Sequence, residues 1–379
     1  MRLLGGLCAI PAAIAAAAVL TACAGGPAAP VDDALGSAGA APSPVGVSHL
    51  PAAGNPDGHA YVPAAARAVN TSRPTRVIGR GTPASCTSQA VVKAVAKGGI
   101  ITFNCGPKPV KITMRATAKV INTSTQVVLD GGGKVTLSGA GKRRVIYMNT
   151  CDRRQIWTTS HCQDQRTPRL TVQNLTFTDG RATGSNITTG SGGAIYAQGG
   201  QFKVVNSRFT DNRCYGKGPD LGGAAIRALM QYDNRPVYVT DSTFTGGACS
   251  NGVALSSIGV SWTVLNSVLS RNRAIGWGAN PAQGGTPGGG SGGAIYNDGD
   301  NYTLKIEGTT MRYDHAREGG GAIFYVCDGD CGHAYVRISH SILHDNPSAG
   351  FSTAGFPGIF YHTTGGPAAP VVVDSRLTS

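Results

Sequence analysis

Gly193-Ala194-Ile195-Tyr196 stands again as Gly223-Ala224-Ala225-Ile226, Gly293-Ala294-Ile295-Tyr296 and Gly321-Ala322-Ile323-Phe324. Weaker copies sit at Gly252-Val253-Ala254-Leu255 and Gly358-Ile359-Phe360-Tyr361. Glycine suits a tight corner where φ is positive, and the Ala-Ile that follows turns inward. A short strand led by a glycine corner is therefore repeated along the chain.

A second pattern interleaves with the first. Take Phe177, Phe209, Phe244, Leu269, Met311 and Leu343 as anchors. Five positions earlier stand Val172, Val204, Val239, Val264, Ile306 and Ile338, and seven positions earlier Leu170, Phe202, Val237, Trp262, Leu304 and Val336. No member of either column is polar. Apolar positions two apart mark a strand with one buried face, and their regular return marks stacked units that cannot hide that face alone. Irregular leading units precede them: Val127-Val128-Leu129-Asp130 before three glycines, Val135-Thr136-Leu137, and Val145-Ile146-Tyr147. The expected fold is all-β, a right-handed parallel β-helix forming a solenoid of about nine coils.

One helix is expected, Thr87 to Lys97. Thr87 or Ser88 can cap its start, Val91, Val92 and Val95 form its apolar stripe, and Gly98-Gly99 stops it. Placed before the strands, it would close the N-terminal end of the core.

Composition agrees with strands and turns. The 379 residues include 55 glycines and only 14% charged side chains, too few for solvated helices. The first 22 residues read as a lipoprotein signal peptide: Arg2, an uncharged Ala/Leu-rich run, and Leu20-Thr21-Ala22-Cys23. That tetrapeptide resembles the bacterial lipobox, which implies lipidation at Cys23 and the extracellular face of the cell membrane, or secretion. Residues 23–75 are rich in Ala, Pro and Gly and read as a disordered tether, with the β-helix domain over 76–379.

Eight cysteines remain once Cys8 leaves and Cys23 is acylated, an even set that fits an oxidising compartment. Cys214 and Cys249 each follow their anchor by five residues, so adjacent coils place them side by side. Nearness in sequence pairs Cys86 with Cys105, Cys151 with Cys162, and Cys327 with Cys331. His333, His340 and His344 follow Cys331, but the spacing is not that of a zinc finger, and no metal site is expected.

The Gly-Gly-Ala-Ile copies and Phe209-Thr210-Asp211-Asn212 resemble the GGAI and FxxN repeats of polymorphic outer-membrane proteins. More broadly, the capping helix and the early Asp130-Gly-Gly-Gly turn resemble the pectate-lyase-like superfamily of parallel β-helix proteins. The first resemblance implies an asparagine ladder at one corner, here interrupted: Gly180, Asn212, Gly247, Asn272, Asp314 and Asn346. The second implies, if the chain is an enzyme, a polysaccharide lyase. No barrel of the autotransporter kind and no clear lyase signature accompanies the repeats.

The full chain carries +13, which outside a membrane favours anionic partners. Four residues after the anchors come Arg181, Arg213, Ala248, Arg273, His315 and Pro347, and two after them Asp179 and Asp211. Arginines in neighbouring coils beside acidic side chains suit an acidic polysaccharide or cell-wall polymer, with calcium as a conceivable bridge. A ladder in which Asp merely neutralises Arg is the competing reading. Tyr215 and Trp277, on the long loops that leave the same edge, are candidate sugar platforms. The expected function is binding of anionic polysaccharide at the cell envelope with or without lyase cleavage. Its rival is a non-catalytic adhesin or spacer. No specific nucleic acid is implied, and a monomer is expected.

Overall fold

The computed structural model describes Leu50 and residues 52–379. The signal peptide, Cys23 and most of the tether lie outside the described residues. The regular structure of the rest is mostly short parallel strands, which form a 17-stranded sheet, an 8-stranded sheet and a 3-stranded sheet.

Each anchor sits in register with the next. Phe177 pairs with Phe209, Phe209 with Phe244, Phe244 with Leu269, Leu269 with Met311, and Met311 with Leu343. The column extends to Ile112 and Leu137 at one end and Leu377 at the other. Its members from Ile112 to Leu343 are at most 3% exposed, and burying each side chain of this size contributes about 1.5–3 kcal/mol. The three phenylalanines stack with centroids 4.9 and 4.7 Å apart. The first two irregular leading units join into one strand, Gln126–Ser138, whose register shifts between Asp130 and Val135 where the glycines stand, and the third lies on Ile146–Asn149 of the 8-stranded sheet.

The 8-stranded sheet carries the glycine-led repeats. Ile146, Ile195, Ile226, Leu255, Ile295, Ile323 and Ile359 form its inward column. The two glycines of each GGAI copy have different tasks. The first takes the positive φ, 66° at Gly192 and 68° at Gly292. The second is required by space, since a Cβ on Gly193 would strike the carbonyl oxygen of Arg213.

The helix spans Ser88–Lys97, with the Thr87 side chain accepting from the Ala90 amide at 3.2 Å. Val91 and Val95 are fully buried in the same core as the anchors, and Gly98, at φ 66°, ends the helix.

The downstream part of the stretch read as tether is a correction. Residues 54–71 lie as a strap on the outward face of the large sheet, running against the order of the repeats. Asn266 accepts from the Ala60 amide at 2.7 Å and donates to the Ala60 carbonyl at 3.1 Å. Gln173 does the same for Val69, at 2.8 and 3.0 Å. Lys203 Nζ donates to the carbonyls of Ala65 and Arg67 at 3.0 and 2.6 Å, and Thr71 donates to Asp130 at 2.7 Å. Arg76–Ile78 then joins the sheet as a strand beside Gly99–Phe103. A segment with few apolar side chains is ordered because side chains of the sheet satisfy its backbone and Ala60, Val62 and Ala66 pack on Leu265 and Tyr238. Asn266→Ala removes both bonds to Ala60, worth about 1–3 kcal/mol together. Limited proteolysis should then cut within residues 54–67 much faster than in the wild type, while the rest of the body stays resistant.

Candidate functional site

The 3-stranded sheet places the arginine column. Its strands are Ala248–Cys249, Arg273–Ala274 and His315–Ala316, and single bridges add Arg213 and Arg181 before them. Side chains alternate across a strand. Ala182, Cys214, Cys249, Ala274 and Ala316 turn inward as a small apolar cluster, and Arg181, Arg213 and Arg273 stand outward and exposed. Cys214 and Cys249 form a disulfide with 4.7 Å between Cα atoms, which ties the inward row together. The other three disulfides pair Cys86 with Cys105, Cys151 with Cys162 and Cys327 with Cys331.

Neighbouring strands lie about 4.8 Å apart. Arg181 and Arg213 are therefore direct neighbours, and Arg273 follows two steps beyond Arg213, with Ala248 between. None of the three makes an ion pair or a side-chain hydrogen bond among the described residues. Guanidinium is charged at every physiological pH, so the strip presents permanent positive charge.

Asp179 and Asp211 do not neutralise it. Both occupy the left-handed region, at φ 52° and 54°, as do Gly246, Arg271, Tyr313 and Asp345 in the same column. Asp is favoured there because its short polar side chain tolerates that backbone. The pair thus has a conformational reason to exist. Asp179 is also engaged elsewhere, 3.3 Å from Lys111 Nζ and accepting from Ser138 at 3.3 Å. Among the described residues no three Asp, Glu, His or Cys side chains converge as a metal site, and calcium takes six to eight oxygens.

The long loops begin at the arginine edge and then cross the outward face of the 8-stranded sheet. Gly276 and Gly290 both bond Ser250, and Gly218 bonds Gly288. Tyr215 is half-buried in that crossing, its carbonyl accepting from the Ser250 amide. Trp277 is 38% exposed, but the cation over its ring is Arg317, at 5.8 Å. The His344 Nδ1 lies 2.8 Å from Asp345 Oδ2, with Tyr313 edge-on to its ring at 5.4 Å.

The sequence reading missed Arg143. Its carbonyl accepts from the Arg181 amide at 2.9 Å, which continues the column by one repeat. Arg143 follows Leu137 by six residues where the later arginines follow their anchors by four, so a fixed offset passes over it. Its side chain is tied to the Arg115 carbonyl and is less free than the other three.

Beneath the strip, at the buried corner, runs the asparagine ladder. Asn212, Asn272 and Asn346 donate to the carbonyls of Phe177, Phe244 and Met311, each the anchor one repeat before. Asp314 replaces asparagine on one rung and accepts from the Asn272 amide and side chain at 2.9 and 2.8 Å. Comparison with family models, with curated proteins and with solved structures finds no match for this chain.

Proposed function

We propose that the stacked parallel strands wind as a right-handed β-helix and that its arginine strip binds an anionic polysaccharide at the cell envelope. The observation that supports this reading is the set of three exposed guanidinium groups, held in register on a disulfide-tied sheet and left without a partner among the described residues. An ordinary surface ladder pairs its charges. Here the nearest acidic column is used for backbone corners and, at Asp179, for Lys111. Guanidinium forks bind carboxylates bidentately, and a polymer that repeats its carboxylates can meet several at once. The tetrapeptide Leu20-Thr21-Ala22-Cys23, which resembles a lipobox, supports a protein held by lipid at the extracellular face of the cell membrane, or secreted. The acidic wall or capsule polymer is then its partner.

The test replaces Arg213 and Arg273 with Ala. Binding to polygalacturonate should weaken by about tenfold or more, and its dependence on salt should flatten. Circular dichroism should be unchanged, because neither side chain is packed. Unaltered affinity in the double variant would overturn the reading and leave a surface spacer. Rising ultraviolet absorbance on incubation of the wild type with polygalacturonate would add lyase cleavage to binding.

A further inference from the structure

A cleft of about 470 Å3 lies on a different face, between the outward side of the large sheet and the strap. Ala65 and Val69 of the strap form one wall. Across from them stand Arg169, Lys203, Arg235, Gln126, Gln201 and Gln231, with no acidic residue in the lining. Tyr238 and Val128 contribute an apolar floor. The volume falls in the range of sites that enclose a small ligand.

Two groups there are incompletely satisfied. Gln231 is 6% exposed, and its Nε2 donates to the carbonyls of Gly199 and Met230, but its Oε1 meets no donor among the described residues. Gln231 also borders a shallower depression on another side. Lys203 spends two of its three donors on the strap, and burial pushes its pKa down, with no carboxylate in the cleft to offset the lost water. Arg235 has Asp233 at 3.9 Å outside the lining, and Arg169 makes no ion pair among the described residues. The cleft offers positive charge for an anion, the side-chain amides of Gln126 and Gln201 for hydroxyls, and Tyr238 for a ring.

We propose that this cleft binds a single anionic sugar, a polyhydroxylated ring bearing a carboxylate or phosphate, beneath the N-terminal strap. The carboxylate or phosphate meets Arg169, Arg235 and the third donor of Lys203. Ring hydroxyls meet the side-chain amides of Gln126 and Gln201, and the ring's C–H face lies on Tyr238. The site does not depend on the arginine strip, which lies on another sheet.

Calorimetric titration of the full chain with galacturonic acid, glucose 6-phosphate, glucose and inorganic phosphate tests the assignment. One or both anionic sugars should bind saturably, more tightly than glucose or phosphate by about tenfold or more, and which of them binds identifies the anion. Arg169→Ala with Arg235→Ala should weaken that binding about tenfold or more. Arg213→Ala with Arg273→Ala should leave it unchanged, so this site and the polymer-binding strip fail or hold separately. No saturable binding of either anionic sugar, or binding that the Arg169/Arg235 variant leaves intact, would overturn the proposal. Those two side chains are exposed, so that variant stays folded.

Discussion

Asp314→Asn should stabilise the protein at pH 8 and remove a pH dependence that the wild type carries. Asp314 is fully buried, and burial pushes its carboxyl up to about 8. Its Oδ1 accepts twice from Asn272, while Oδ2 meets no donor among the described residues. On each asparagine rung the corresponding amide donates to the anchor carbonyl one repeat earlier, which for Asp314 is the carbonyl of Leu269. A carboxylate can only oppose that oxygen. A protonated carboxyl or an asparagine amide can donate to it.

The sign follows from the two protonation states. Unfolded, Asp314 loses its proton near its ordinary value of 3.8, whereas folded it keeps it to about 8. Between those values the folded state binds the extra proton, so stability falls as pH rises, by up to about 1.4 kcal/mol per pH unit, and levels off above. Urea midpoints at pH 5, 6.5 and 8 measure the difference between wild type and variant, in which the contributions of other buried acids cancel. A gap that widens with pH is expected. Parallel curves would mean that Asp314 is ionised at no cost and that the corner admits water.

Most of the body was open to reading because each repeat states the same pattern. The anchor column, the glycine-led strands and the Cys214–Cys249 pair all follow from one fixed offset within the repeat. What that offset does not carry is what the sequence conceals. The strap is held by Asn266 and Lys203, 206 and 138 residues away from Ala60 and Ala65, through side chains that bond backbone, and by the small contact of Ala60, Val62 and Ala66 with Leu265 and Tyr238. Composition therefore reads residues 54–75 as unable to order. Arg143 escapes because its unit is two residues longer. Asp179 and Asp211 were legible as an acidic pair but not as residues chosen for a left-handed corner. Trp277 lies on the expected loop, yet that loop folds across a neighbouring face and finds Arg317. Periodicity specifies what repeats, and long-range polar contacts specify the rest.

Phe209→Ala should cost about 3–5 kcal/mol, among the largest losses from any single core truncation here. Phe209 is 1% exposed and sits between two parallel rings, tilted 11° from Phe177 and 5° from Phe244. Truncation loses the transfer energy of the ring, leaves a void inside a close-packed column, and breaks two aromatic contacts. Main-chain pairing on both sides fixes the strand Arg208–Thr210, so the void cannot close by a shift of the strand alone. Phe209→Leu should cost only about 1–2 kcal/mol, because the same column already accepts Leu269 and Leu343 at that depth. Each repeat touches only its neighbours, so the loss should be local as well as large. Hydrogen exchange in Phe209→Ala should quicken at Thr176–Thr178 and Thr243–Thr245, the strands that flank residue 209. The first strand, Arg76–Ile78, and the last, Arg376–Thr378, should keep the wild-type rate. Equal destabilisation by Ala and Leu would show that ring stacking, not volume, holds the column. Faster exchange at both ends would show that the whole array opens as one unit.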